Sequence, residues 1–150
     1  MEKRNFISVG ISILALVLSA VSFVLSYRLN AASAENALKP VLVFTYDSEA
    51  GWILANIGNG PALNVEVAHR KVSGDWFRFI RLPSLASGDE FRAHWLAHSN
   101  IRSLGAVYED IEQRVSTSIT QDDNTVIAEG RTLPSNLGNI VPHWQATPVE

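Results

Sequence analysis

From Phe6 to Tyr27 the chain reads FISVGISILALVLSAVSFVLSY, 22 residues without one charge. At a rise of about 1.5 Å per residue the run makes about 33 Å of helix, enough to cross the roughly 30 Å hydrocarbon core of a bilayer. Nothing else in the sequence limits the fold so strongly, because backbone inside lipid must satisfy its polar groups within itself. A cleaved signal peptide is the rival reading, since Ala32-Ser33-Ala34 offers the small-x-small pattern that signal peptidase accepts. The run exceeds the apolar core of a signal peptide, about 7 to 15 residues, and Arg28 stands between it and that pattern. A retained, single-pass signal anchor is therefore expected. Lys3 and Arg4 precede the helix on a five-residue tail, so the N-terminus is expected in the cytoplasm and the remainder outside it.

Alternating steps of four and three along the span pick out Ser8, Ser12, Ala15, Ser19, Ser22 and Ser26. One residue back runs a parallel line of bulky side chains, Ile7, Ile11, Leu14, Leu18, Val21 and Leu25. Lipid gives no reason to sort small from large in this way, whereas packed membrane helices use small residues for close approach and serines for bonds across the interface. The period of about 3.5 residues matches a left-handed crossing. The plainer reading is that each serine bonds back to a carbonyl of its own preceding turn. Tyr27 and Arg28 suit the headgroup layer, and Leu29 to Leu38 continues as an alanine-rich helical stalk that Pro40 stops.

Beyond Pro40 the pattern changes to short runs rich in β-branched and aromatic residues. Val41 to Tyr46, Trp52 to Ile57, Leu63 to Val67, Trp76 to Leu82, Phe91 to Leu96, Leu104 to Tyr108 and Arg114 to Thr120 read as seven strands. That count in about 80 residues suits an all-β immunoglobulin-like sandwich. From Gly130 onward three prolines interrupt the chain and no period is visible, although Ile140, Val141 and Trp144 are apolar enough to pack. The expected organisation is a tail over 1–5, a transmembrane helix over 6–27, a stalk over 28–39, a β-sandwich over 40–128 and an extended C-terminal tail over 129–150.

The stretch Ile57-Gly58-Asn59-Gly60-Pro61-Ala62-Leu63 begins as a dinucleotide-binding loop does. Such a loop needs a third glycine or alanine and a helix to receive phosphate. Here Leu63 takes the third place, and Leu63-Asn64-Val65-Glu66-Val67 alternates as a strand. The motif reads instead as a structural turn over Asn56, Gly58, Asn59, Gly60 and Pro61, with Asn59-Gly60 at a hairpin tip and Pro61 at the start of the next strand. The segment from Trp52 to Val65 resembles the "N-x-G-x-G-P-A-x-N-V" signature of small bacterial proteins with an N-terminal membrane anchor and an immunoglobulin-like β-sandwich. Leu85 to Glu90 is similar to their "L-x-x-G-E" turn, and Val107 to Ile111 with Ser116-Thr117 to their late "Y-x-D-x-x-G-x-x-Y-x-T" hairpin. At Glu112-Gln113 the chain lacks the usual glycine. The resemblance implies a fold and carries no activity. In a Gram-negative bacterium the orientation expected from Lys3 and Arg4 would place the anchor in the inner membrane and the C-terminal domain in the periplasm.

Residues for chemistry are sparse. His94 and His98 would share one face of a helix, yet on a strand they stand about 13 Å apart. His69 and His143 are isolated, no nucleophile elbow is present, and cysteine is absent. No enzyme, metal or cofactor is expected. After Arg28 come 14 acidic and 9 basic residues, a net charge near −5 that speaks against nucleic acid. Locally, Arg70, Lys71, Trp76, Arg78 and Arg81 gather cations among aromatics. They read either as core plus solvated face or as a docking edge for anionic headgroups or an acidic partner. The function expected is that of a non-catalytic accessory subunit of a larger membrane complex, the helix packing on other subunits or on itself. A membrane-tethered binding module for a soluble or envelope ligand is the alternative.

Overall fold

A computed structural model describes residues 2–71, 74–77, 79–96, 101–122, 124–134 and 139–147, without the side chains of 2–12 and 31–37. The chain divides into two units, residues 1–37 and 38–150. The first is a single helix, α1, Glu2–Ala37. It is one continuous element through the expected span and stalk, and its stretch Ile13–Asn30 is long and apolar enough to cross a membrane. Alanine-rich residues 31–37 carry it on, and it ends three residues before Pro40.

The second unit is mostly β-sheet. Its strands are β1 Leu42–Asp47, β2 Gly51–Asn56, β3 Leu63–Lys71, β4 Ile80–Arg81, β5 Glu90–Arg92, β6 Ile101–Glu109, β7 Val115–Gln121, β8 Asn124–Glu129 and β9 Val141–Pro142. They form a three-stranded sheet in the order β1-β2-β5 and a six-stranded sheet in the order β8-β7-β6-β3-β4-β9. Every pairing is antiparallel except that of β4 with β9. One core draws on both sheets: Leu42, Phe44 and Leu54 from the smaller, Val65, Val67, Leu104, Ala106 and Tyr108 from the larger, with Trp95 and Leu85 from the connections. Each such side chain removed from water contributes about 1.5–3 kcal/mol. The opposite face of the larger sheet carries a second core of Ala68, Val107, Phe79 and Leu133, with Trp76 and Ile119 packed against it. Gly105 makes room for it, since an added Cβ would lie 2.7 Å from Leu133 Cδ1 and 3.1 Å from Trp76 Cη2.

This second core explains where the structure departs from the sequence reading. Of the run Trp76 to Leu82 only Ile80 and Arg81 are β4, and Trp76 makes an isolated bridge to Arg70, because the segment serves to cover a sheet face. Phe91 to Leu96 is a strand only to Arg92 and then turns, Leu96 N–H donating to Ala93 O at 2.9 Å. Past residue 128 the chain keeps contact with the sheets. Leu133 is buried, Arg131 binds Glu66, and β9 extends the larger sheet, so the C-terminal segment belongs to the β unit.

The hairpin at Asn59-Gly60 is also corrected. β2 and β3 lie in different sheets, and the connection is a crossover. Among the described residues positive φ occurs elsewhere, so Gly58 and Gly60 are needed for another reason. A Cβ on Gly58 would overlap the backbone of residues 39–41, and one on Gly60 the carbonyl of Leu38. They are glycine because the incoming chain runs against them, with Asn59 and Gly60 N–H donating to Lys39 O at 3.2 and 3.4 Å.

Candidate functional site

Three groups of residues stand out from the sequence, and the structure treats each differently. The first is the small-residue stripe. Ala15, Ser19, Ser22 and Ser26 fall within an arc of about 60° on α1, and all four are exposed in the isolated chain. The neighbouring bulky line is equally bare, Leu14 60%, Leu18 58% and Leu25 55% exposed. The side chains of Ser8 and Ser12 lie outside the described residues.

The second group, the basic and aromatic residues, divides in two. Arg70, Lys71 and Trp76 gather at the end of β3 farthest from the entry of the chain at Leu38. Arg70 Nη2 donates to Ser103 Oγ at 2.9 Å and to Gln121 Oε1 at 3.0 Å, and the guanidinium lies 5.4 Å over the Trp76 ring. Lys71 Nζ sits 5.3 Å over Phe77, which also stacks parallel on His69 at 4.9 Å. Arg81 lies four residues back along the β3 register, about 13 Å away, and is not part of this end. It donates to Glu66 Oε1 at 2.7 Å, while Arg131 donates to Glu66 Oε2 at 2.6 Å and stacks over Phe79 at 5.1 Å. Arg78 lies outside the described residues. The described cations of this group, Arg70, Lys71 and Arg81, thus have partners within the fold, and the buried carboxylate of Glu66 holds Arg81 together with Arg131 from outside the group. Glu66 looks in sequence like the solvated member of an alternating strand. Nothing local signals partners 15 and 65 residues away.

The third group, the turn, is the most highly connected. Asn56 is buried, and its Nδ2 reaches Gly60 O at 2.8 Å, Leu85 O at 3.0 Å and Ala86 O at 3.1 Å. Its Oδ1 accepts from Val41 N–H at 3.2 Å and Gly58 N–H at 3.1 Å. One amide therefore adds side-chain bonds to three segments, the chain at Val41, the turn at residues 58–60 and the loop at residues 85–86.

A crevice of about 140 Å³ opens beside Trp52, lined by Ile101, Arg102, Ser103, Leu104, Thr120 and Asp122. It is room for a few waters or a very small ligand. His94 stands edge-on to Trp95 at 5.1 Å, His98 lies outside the described residues, and among the described residues no three His, Asp or Glu converge as metal ligands do. Two carboxyls are shifted. Asp47 is held below the ordinary aspartate value, chiefly by the N–H groups of Ala50 and Glu49, and Glu129 below the ordinary glutamate value by the hydrogen bond from Lys39.

No curated protein and no solved structure matches this chain. The family described as Domain of unknown function (DUF8453) matches residues 6–136, from the start of the apolar run to beyond Leu133, and the chain belongs to that family.

Proposed function

We propose that this protein is a non-catalytic accessory subunit of a larger membrane complex, respiratory, photosynthetic, secretory or transport. Its helix packs among other transmembrane subunits or on itself, and its β unit, an immunoglobulin-like sandwich, braces the outer face. In this reading the N-terminus is cytoplasmic and the β unit periplasmic, anchored in a bacterial inner membrane. The observation that carries it is the stripe of Ala15, Ser19, Ser22 and Ser26 on an uninterrupted apolar helix, sorted from bulky neighbours as a helix-packing face is and a lipid-facing surface is not. The family match supports it by spanning helix and β unit together. Arg70, Lys71 and Arg81 are engaged within the fold, which favours the helix over a lipid- or partner-binding edge as the contact surface.

Purification from the native membrane in mild detergent, followed by native gels and mass spectrometry, tests the proposal. Recovery in a stable assembly that Ser19→Leu and Ser22→Leu disperse is the expected result. Recovery as a solitary monomer, or an assembly indifferent to both substitutions, rejects it. The crevice beside Trp52, with Arg102 and Asp122 at its lining, favours the second reading, a tethered binding module for a small soluble ligand.

A further inference from the structure

We propose that β8 is a pairing edge for a second copy of this chain, two β8 strands joining antiparallel about a two-fold axis at Ile127. Sheet edges are commonly blunted by brevity, proline, lysine or a bulge, because their free N–H and C=O groups template further pairing. Here β9 is two residues long and ends in Pro142, and β5 is three residues long. By contrast β8 keeps unbroken register with β7 over its six residues and contains neither proline nor lysine. Val126 and Ile127 are 65% and 47% exposed and point to opposite faces of the sheet. The other six-residue edge, β1, differs: its exposed Tyr46 already packs edge-on against Trp52, ring centroids 5.3 Å apart.

The direction of the backbone groups follows from one bond. Gly130 N–H donates to Val115 O of β7 at 2.8 Å. Antiparallel bonding alternates along a strand, so Ala128, Val126 and Asn124 turn toward β7 while Glu129, Ile127 and Thr125 turn their N–H and C=O outward. A two-fold perpendicular to the sheet requires opposed residues to share a face, and the bonds require outward residues to meet. Centring on Ile127 satisfies both. It opposes Ile127 to Ile127 of the second copy, Val126 to Ala128 and Thr125 to Glu129, with apolar residues in the middle and no like charges opposed. Centring on Val126 would bring residues whose N–H and C=O are already turned toward β7 to the seam, leaving the two edges without bonds to exchange. The edge is thus self-complementary in bonding, shape and charge in one register. This inference does not rest on the helix stripe.

The absence of native cysteine makes the register directly testable. Full-length Val126→Cys and Ala128→Cys chains, mixed in detergent and mildly oxidised, are expected to form a disulfide-linked dimer several-fold faster than either variant alone. Analytical ultracentrifugation is expected to show a wild-type dimer whose dissociation constant rises at least tenfold with Ile127→Lys, circular dichroism being unchanged. If that variant misfolds, Ile127→Thr, which keeps a β-branched residue, is measured instead. A wild-type monomer at tens of micromolar overturns the proposal, and so does a dimer without the mixed cross-link. Loss of the cross-link with Ser19→Leu would assign the contact to the helices and also overturn it. Dispersal of a larger assembly by Ser19→Leu with the cross-link intact would separate this edge from the accessory-subunit reading.

Discussion

Arg81 stands directly across from Glu66 in the pairing of β4 with β3, and its Nη2 donates to Glu66 Oε1 at 2.7 Å. Arg131 takes the other oxygen, so a carboxylate that is 5% exposed is matched on both sides. Removing one partner leaves part of a buried charge unanswered, at about 1–3 kcal/mol. The Arg81 side chain is 54% exposed and that of Arg131 is 37% exposed, which places Arg81→Ala at the low end and Arg131→Ala higher. Denaturant midpoints of the two single variants and the double variant measure this. Strict additivity with both effects under about 0.3 kcal/mol would show that Glu66 does not couple them.

Asn56 makes five hydrogen bonds through one buried amide. Asn56→Ala takes their side-chain partner from the N–H groups of Val41 and Gly58 and from the carbonyl of Gly60, and leaves the carbonyls of Leu85 and Ala86 with only the N–H groups of Ala62 and Asp89. A loss of about 2–4 kcal/mol is expected. Asn56→Asp fares no better, since a carboxylate cannot donate to those three carbonyls. Thermal unfolding of both variants checks this, and a fall in Tm under about 3 °C in either would contradict the role assigned to the amide.

Gln113 occupies the glycine place of the β6–β7 turn. Its φ is 63°, and the turn closes through Asp110, whose Oδ1 accepts from Glu112 and Arg114 N–H at 2.8 and 3.0 Å. Left-handed backbone costs a side-chain-bearing residue about 1 kcal/mol, so Gln113→Gly is expected to stabilise the protein by about that amount. Chemical denaturation decides it: a destabilised variant would mean that the Gln113 side chain contributes more than the strain it imposes.

The β1–β2 tip responds to acid through Asp47. Its Oδ1 accepts from Ala50 N–H at 2.7 Å and Glu49 N–H at 2.8 Å, which lowers the carboxyl below its ordinary value. A lowered folded-state value means that the stabilisation is fully present above the ordinary aspartate range and fades as pH falls through the lowered value. Carboxyl titration by NMR should find Asp47 ionised where an unperturbed aspartate has already protonated, and Asp47→Asn should remove that part of the acid response. A midpoint at the ordinary value would contradict the turn geometry.

The N-terminal apolar helix was legible in sequence because a run from Phe6 to Tyr27 without charge has few folded solutions. Strand positions were legible wherever apolar residues alternate toward one core, as at Val65 and Val67. What escaped was whatever depends on the second face of the larger sheet. Trp76 and Phe79 look like strand residues and serve as a cover, while Leu133 looks like tail and is buried. β8 escaped because an edge strand need not alternate, and its Val126 and Ile127 are both exposed. Gly58 and Gly60 were recognised as structural, yet their cause lies in residues 38–41, which no local pattern links to them.

That close approach has a mechanical consequence. Ile57 N–H donates to Val41 O at 2.9 Å, Asn59 and Gly60 N–H donate to Lys39 O, and Asn56 Oδ1 receives Val41 N–H. A pull on Leu38 therefore loads this lacing before it can peel β1 from β2, and the tension passes through Asn56 to the loop at Leu85 and Ala86. The first residues of the β unit are thus a seam that shares an applied load with the β2–β3 connection before any strand gives way.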